Sequence, residues 1–300
     1  MSEPQTGEKR PVVRSGTAEA ADGALLHWRA DGQGKTVLIA SNGVGVSTFF
    51  WSRLARHFAP THTFVTWDYR GHGQSPVSEN IDSLTVALCA RDLWTVADKL
   101  GAKQAVLIGH SMGCQVNFEA YRQHAGRVQA LIPMLGVPGR AFDSFLGAKK
   151  LEPIFRLLIE VGSKNPGLAE QITRGFLKAP GMWEAVRALG VVHPDLCPRE
   201  EFEPYFAHLA TLDMRGWFAL ARDLLSHDAT SLLPEIAVPT LVVAGERDLF
   251  TPLDRAREMA AAIPKAELLV LREGSHAAMV EQPELVALTV EKFLKSHGLF

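Results

Sequence analysis

The chain has 300 residues, of which 47% are hydrophobic and 21% charged, and a net charge of -2 at pH 7. That is enough apolar chain for one large domain, or a domain with a substantial insertion. The balanced charge argues against nucleic acid or an anionic membrane held by electrostatics. Three cysteines without C-x-x-C spacing (Cys89, Cys114 and Cys197) fit reduced thiols in a cytoplasmic protein rather than a disulfide framework.

Residues 1–16 are polar, lack an apolar h-region, and are expected to form a flexible tail. No apolar run is long enough to span a bilayer. Two short strands are predicted at 17–20 and 24–29. Thr36 to Ala40 then reads as a fully buried strand. A Gly-rich loop, Ser41 to Ser47, leads into a helix over 48–58, and Thr63 to Trp67 is a further strand. A long amphipathic helix from Ser83 to Leu100 stops at Gly101. Strands follow at 105–108 and 128–133. From about Gly139 to Leu233 the strand pattern gives way to apolar residues three and four apart, punctuated by proline. Strand and helix then resume at 240–244, 253–262, 267–271 and 283–296. Alternation of this kind predicts an α/β fold: a mostly parallel sheet flanked by helices. The expected organisation is a core formed by 17–138 and 234–300, interrupted by a helical cap at 139–233.

Gly109-His110-Ser111-Met112-Gly113 lies between the 105–108 strand and a helical pattern through Val116, Phe118 and Ala120. A G-x-S-x-G in that setting is a nucleophile elbow, a sharp turn that lifts a serine hydroxyl above the sheet edge. A serine hydroxyl is a weak nucleophile at neutral pH and needs a base, and the base needs an orienting partner. His276 follows the last strand, and Asp248 follows the strand before it. Loops after strand C-termini gather at one sheet edge, and the order Ser, Asp, His is that of an α/β-hydrolase triad. Glu246 and Asp143 are rival acids. The bland alternatives are an ordinary turn at Ser111, a surface histidine at His276 and a helix cap at Asp248.

With these stretches, together with Asp68-Tyr69-Arg70-Gly71-His72-Gly73-Gln74-Ser75 and Glu281-Gln282-Pro283-Glu284, the chain resembles the α/β-hydrolase-fold superfamily, in particular its capped serine esterases. The resemblance runs from about residue 17 onward and is weaker through the cap. It implies that Ser111 attacks an acyl carbonyl, His276 moves the proton and Asp248 holds the imidazole. It further implies that the backbone N–H groups of Val44 and Met112 bind the oxyanion. The usual His-Gly of the oxyanion loop is here Asn42-Gly43.

A serine at the elbow, where dehalogenases and epoxide hydrolases of this fold carry aspartate, points to acyl chemistry. The expected activity is hydrolysis of a small or medium-sized carboxylic ester through an acyl-enzyme, falling with pH as His276 takes up a proton. Acyl transfer, C–C bond hydrolysis and a non-catalytic ligand sensor are the alternatives; oligomeric state is left open. No metal-ligand spacing and no P-loop lysine is present, so no metal or organic cofactor is expected. His72 and His110 read as structural. The aromatic run Phe49-Phe50-Trp51 reads as core, and Trp183, Phe206, Trp217 and Phe218 read mostly as packing within the cap.

Overall fold

The computed structural model describes residues 12–143 and 152–300. Eight strands form one sheet: β1 (Val13–Glu19), β2 (Leu25–Asp31), β3 (Val37–Ser41), β4 (Thr63–Trp67), β5 (Ala105–His110), β6 (Val128–Met134), β7 (Thr240–Gly245) and β8 (Ala266–Leu271). Their spatial order is β1-β2-β4-β3-β5-β6-β7-β8. The β1–β2 and β2–β4 pairs are antiparallel. Every pair from β4–β3 to β7–β8 is parallel. The strands between β4 and β7 carry continuous apolar runs because helices cover both faces.

Alternation along each strand divides the core in two. Ile39, Val65 and Leu107 face one way, against α2 (Val86–Lys99), α3 (Met112–His124) and α9 (Leu253–Ala262). Leu38, Phe64, Val106 and Ile108 face the other, against α1 (Ser52–Phe58) and α11 (Pro283–Ser296). A short helix, α10 (Ala278–Glu281), precedes α11. Between β6 and β7 lie α4 (Glu152–Lys164), α5 (Pro166–Leu177), α6 (Met182–Ala188), α7 (Arg199–Leu209) and α8 (Met214–Leu224).

Some expected boundaries shift. The first strand starts at Val13, inside the stretch expected to be tail, because residues 13–19 pair along their whole length with β2. Residues 1–11 lie outside the described residues. The helix expected over 48–58 is a 3-10 turn at Thr48–Trp51 followed by α1. The expectation for 83–100 resolves into a 3-10 turn at Ile81–Ser83 and then α2, whose first turn is capped by the Thr85 hydroxyl accepting from Leu88 N–H.

The chain leaves β3 for β4 on one side and reaches β5 on the other. The C-terminal ends of β3 and β5 therefore flank a switch point, where a crevice opens. The turn after β4 buttresses that edge. Arg70 is buried there, gripping Asp92 of α2 with Nε and Nη2 at 2.8 and 2.7 Å and Asp22 with Nη1 at 2.5 Å. Removing Asp92 leaves the buried Arg70 guanidinium with only the half-exposed Asp22 to compensate it. Asp92→Ala is expected to lower stability by about 3–5 kcal/mol in urea titration, and a change under 1 kcal/mol would contradict this role.

Candidate active site

Ser111 sits between β5 and α3 with φ 54° and ψ -120°, a conformation that L residues resist. Two glycines make it possible. A Cβ at Gly113 would lie 2.1 Å from the Ser41 carbonyl oxygen, and one at Gly109 2.5 Å from the Gly113 backbone. The strand and helix touch backbone to backbone, and Ser111 N–H donates to the Met134 carbonyl of β6 at 3.0 Å. The hydroxyl stands at the sheet edge with α3 starting behind it.

The imidazole of His276 comes from the loop after β8. Its Nε2 is 3.0 Å from Ser111 Oγ, and its Nδ1 is 2.8 Å from Asp248 Oδ2. Asp248 lies in the loop after β7 and is buried. Its Oδ1 accepts from the N–H groups of Phe250 and Thr251, and its Oδ2 also accepts from the Thr251 hydroxyl at 2.6 Å. Burial alone would raise the Asp248 carboxyl pKa, but the adjacent imidazole and these hydrogen bonds outweigh it and hold the value below the ordinary range. The carboxylate thus both organises the turn before α9 and meets His276. The rival acids are used elsewhere: Asp143 pairs with Arg140 at 3.0 Å, and Glu246 accepts from Glu273 N–H.

The Asp248 and His276 loops are knitted together, with Arg247 N–H donating to the Gly274 carbonyl at 2.8 Å. Glu281 of α10 pins the second loop from behind. Its buried carboxylate accepts from Ser275 N–H and the Ser275 hydroxyl, and from His193 N–H in the helical block. In the sequence Glu281 was only part of a resemblance; nothing in its spacing reveals that it folds back six residues to hold the neighbour of His276.

Val44 and Met112 border the same crevice, and neither N–H takes part in the turn, loop and cap hydrogen bonds among the described residues. The Val44 loop is drawn onto the elbow, since a Cβ at Gly43 would sit 3.2 Å from Ser111 Cβ. Asn42, standing where the resemblance has histidine, anchors it three ways. Its Nδ2 donates to the Trp67 carbonyl, its Oδ1 accepts from Trp51 Nε1–H, and its carbonyl accepts from the Tyr69 hydroxyl, each at 2.7 Å. Asp68 holds the loop's far end, accepting from the Ser47 hydroxyl at 2.6 Å and from Thr48 N–H. Gly73 is obligatory beside it, because a Cβ there would lie 2.3 Å from the carboxyl group at φ 52°.

His72 accepts from Gly45 N–H at Nε2 (3.3 Å) and bonds the Arg70 carbonyl through Nδ1 (3.1 Å). It is therefore the neutral tautomer with its proton on Nδ1. Burial pushes its pKa down to about 4. Burial, with the adjacent His276, takes His110 down to about 3; its Nε2 lies 3.1 Å from the His276 carbonyl. Cys114 is a thiol donating to the Gly109 carbonyl, and burial raises it to about 12.

A cavity of about 240 Å³ opens over Ser111. Phe50 and Val46 from the core meet Val191, Phe202, Tyr205 and Trp217 from the helical block. Among the described residues no Asp, Glu, Lys or Arg lines it. Phe50 corrects the expectation of a purely core aromatic run: it packs on His110, with ring centroids 4.6 Å apart, and faces the cavity. Periodicity could not sort Phe50 from Trp51, which is sealed in the core, because both lie on one 3-10 turn.

Residues 35–283 match the family model described as alpha/beta hydrolase fold. The chain belongs to the α/β-hydrolase fold family. Within it, the chain is 25% identical over 262 residues to the "Putative carbamate hydrolase RutD" of Pseudomonas savastanoi pv. phaseolicola, covering 87% of this chain and 94% of that one. Two solved structures share the α/β-hydrolase architecture. A thermophilic esterase from Thermogutta terrifontis has TM-score 0.75 and 22% identity, covering 95% of this chain and 99% of that chain. The enol-lactonase from Burkholderia xenovorans LB400 has TM-score 0.73 and 22% identity, covering 93% and 100%. Among the described residues no helix is long and apolar enough to cross a membrane, and no cluster of three His, Cys, Asp or Glu side chains is placed to hold a metal ion.

His72 and His110, the buried histidines of the site, give this α/β hydrolase a specific acid sensitivity. The unfolded chain takes up protons on them near the ordinary 6.5, whereas the folded chain waits until about 4 for His72 and about 3 for His110. Stability therefore falls as pH drops from 6.5 toward 4, by about 1.4 kcal/mol per pH unit for each histidine. His72→Asn should make the stability slope between pH 6 and 4.5 shallower by about that amount per pH unit; an unaltered slope would contradict the assignment.

Proposed function

We propose that this α/β hydrolase is a serine hydrolase that cleaves small or medium-sized carboxylic esters through an acyl-enzyme on Ser111. The supporting observation is the unbroken hydrogen-bond chain from buried Asp248 through His276 to Ser111 Oγ, at the floor of an apolar cavity. Residues 17–138 and 234–300 act as the catalytic core, and 139–233 as a cap whose aromatic side chains roof the acyl pocket.

In the proposed cycle the substrate carbonyl rests on the Val44 and Met112 N–H groups. Ser111 Oγ attacks the carbonyl carbon while His276 Nε2 takes the hydroxyl proton, and Asp248 stabilises the imidazolium. The oxyanion that forms is held by the two N–H groups, each contributing about 3–4 kcal/mol to the transition state. His276 passes its proton to the leaving alkoxide, and the alcohol departs. Water, deprotonated by the same imidazole, then attacks the acyl carbon; the bond to Ser111 Oγ breaks, the imidazolium returns its proton to Oγ and the acid is released.

Among the described residues the lining carries no Asp, Glu, Lys or Arg, which favours a neutral ester. The activity in the name of the Pseudomonas savastanoi relative, carbamate hydrolysis, also proceeds at an acyl carbon, but a free carbamate is an anion, and among the described residues no lysine or arginine lines this cavity. Acyl transfer and C–C hydrolysis use the same three residues and are separated from ester hydrolysis by product analysis with and without added alcohol. An inert sensor of the same fold would leave Ser111 unlabelled by a fluorophosphonate probe.

Ser111→Ala should lower kcat/KM on p-nitrophenyl butyrate by at least about 10³-fold, and Asp248→Asn by roughly 10⁴-fold in kcat with KM little changed. Turnover by Ser111→Ala at the unsubstituted rate would overturn the proposal.

A further inference from the structure

The residues on either side of His276 both end on one buried carboxylate. Glu281 Oε2 accepts from Ser275 N–H at 2.9 Å, and its Oε1 accepts from the Ser275 hydroxyl at 2.5 Å. That hydroxyl oxygen accepts in turn from Ala277 N–H at 3.0 Å. Glu281 therefore holds Ser275 directly and Ala277 through Ser275 Oγ. The backbone that carries the imidazole is fixed on both sides.

A third donor reaches Glu281 from the helical block. His193, between α6 and α7, gives its N–H to Oε1 at 2.6 Å. A closed turn presents it. His193 Nδ1 accepts from the N–H groups of Asp195 and Leu196, both at 3.1 Å, and the His193 carbonyl accepts from Cys197 N–H at 3.3 Å. Val192 and Cys197, on either side of this turn, are buried in one apolar cluster with Trp183, Phe202 and Ala277. The segment between α6 and α7 thus meets the His276 loop twice, through Glu281 and through Ala277. It also supplies Val191 to the cavity, whereas His193 is not among the lining residues.

We propose that Glu281 is a positioning residue for His276, and that it carries to the imidazole the seating of the segment between α6 and α7. This inference rests on the serine-hydrolase reading above. The imidazole must meet Ser111 Oγ and Asp248 at once, and misplacing a reacting group by about 1 Å costs about 10²-fold in rate. A carboxylate suits the position because three donors converge on it. An amide accepts through one oxygen only and turns its own N–H groups toward the remaining donors. A buried donor left without an acceptor is costly, so the loop would shift to relieve it.

Steady-state kinetics on p-nitrophenyl butyrate and the rate of Ser111 labelling by a fluorophosphonate, both measured well below each variant's Tm, test this. Glu281→Gln should lower kcat by about 10–100-fold with KM within about twofold, because one imidazole serves acylation and deacylation alike. Labelling should slow by a similar factor. His193→Ala opens the turn and should lower kcat at least about threefold, whereas His193→Asn, whose Oδ1 accepts the same two N–H groups, should restore it to within about twofold of the parent. The double variant Glu281→Gln/His193→Ala should be within about twofold of Glu281→Gln alone, since both act through one link. Glu281→Gln that labels and turns over at the parent rate would overturn the inference. So would fully additive losses in the double variant, or His193→Asn as slow as His193→Ala; the His193 pair decides the matter if Glu281→Gln does not fold. A parent chain that neither labels at Ser111 nor cleaves the ester would overturn the serine-hydrolase reading itself, and this inference with it.

Discussion

The close approach of backbones at the elbow is the constraint on which the rest of this site depends. Ser111 takes a positive φ that serine resists, and it is held there because Gly109 and Gly113 allow β5, α3 and the end of β3 to meet without intervening side chains. Strain of this kind costs on the order of 1–3 kcal/mol, which the surrounding sheet and helix packing must offset. In return the hydroxyl leaves the plane of the sheet at its C-terminal edge. The N-terminus of α3 starts beside it, and its unpaired N–H groups carry partial positive charge.

Around that fixed point, three buried carboxylates do a common job. Asp68 gathers the loop after β3, Asp248 the loop after β7, and Glu281 the loop after β8. Each is withdrawn from water and accepts backbone N–H and hydroxyl donors in exchange. For Asp68, burial works against the charge, and hydrogen bonds from His27, Gln74, Ser47 and Thr48 outweigh it. Loops are ordinarily the mobile parts of a domain. Here the three that carry the proposed chemistry are tied at their bases, and His276 lies 2.8 Å from Asp248 and 3.0 Å from Ser111.

Much of this was legible in the chain. The parallel sheet followed from buried strands alternating with helical patterns, and Ser111, Asp248 and His276 stood out because each follows an apolar run and all three must fall at one edge. The supports were not legible. Glu281 acts on a residue six positions earlier through a short helix that no periodicity announces, and Asn42 works through three partners up to 27 residues away. The start of the first strand is not legible because Val13 to Ser15 are exposed; cross-strand pairing with β2, not burial, makes them a strand.

The central claim is that Ser111 becomes covalently acylated. Mixing the protein with excess p-nitrophenyl butyrate, quenching in acid within the first turnovers and mapping peptides by mass should find a butyryl group on the peptide containing Ser111, formed with a stoichiometric burst of nitrophenol. Ester turnover with the adduct on another residue, or sustained turnover with no trapped adduct under conditions where deacylation is slow, would contradict the account.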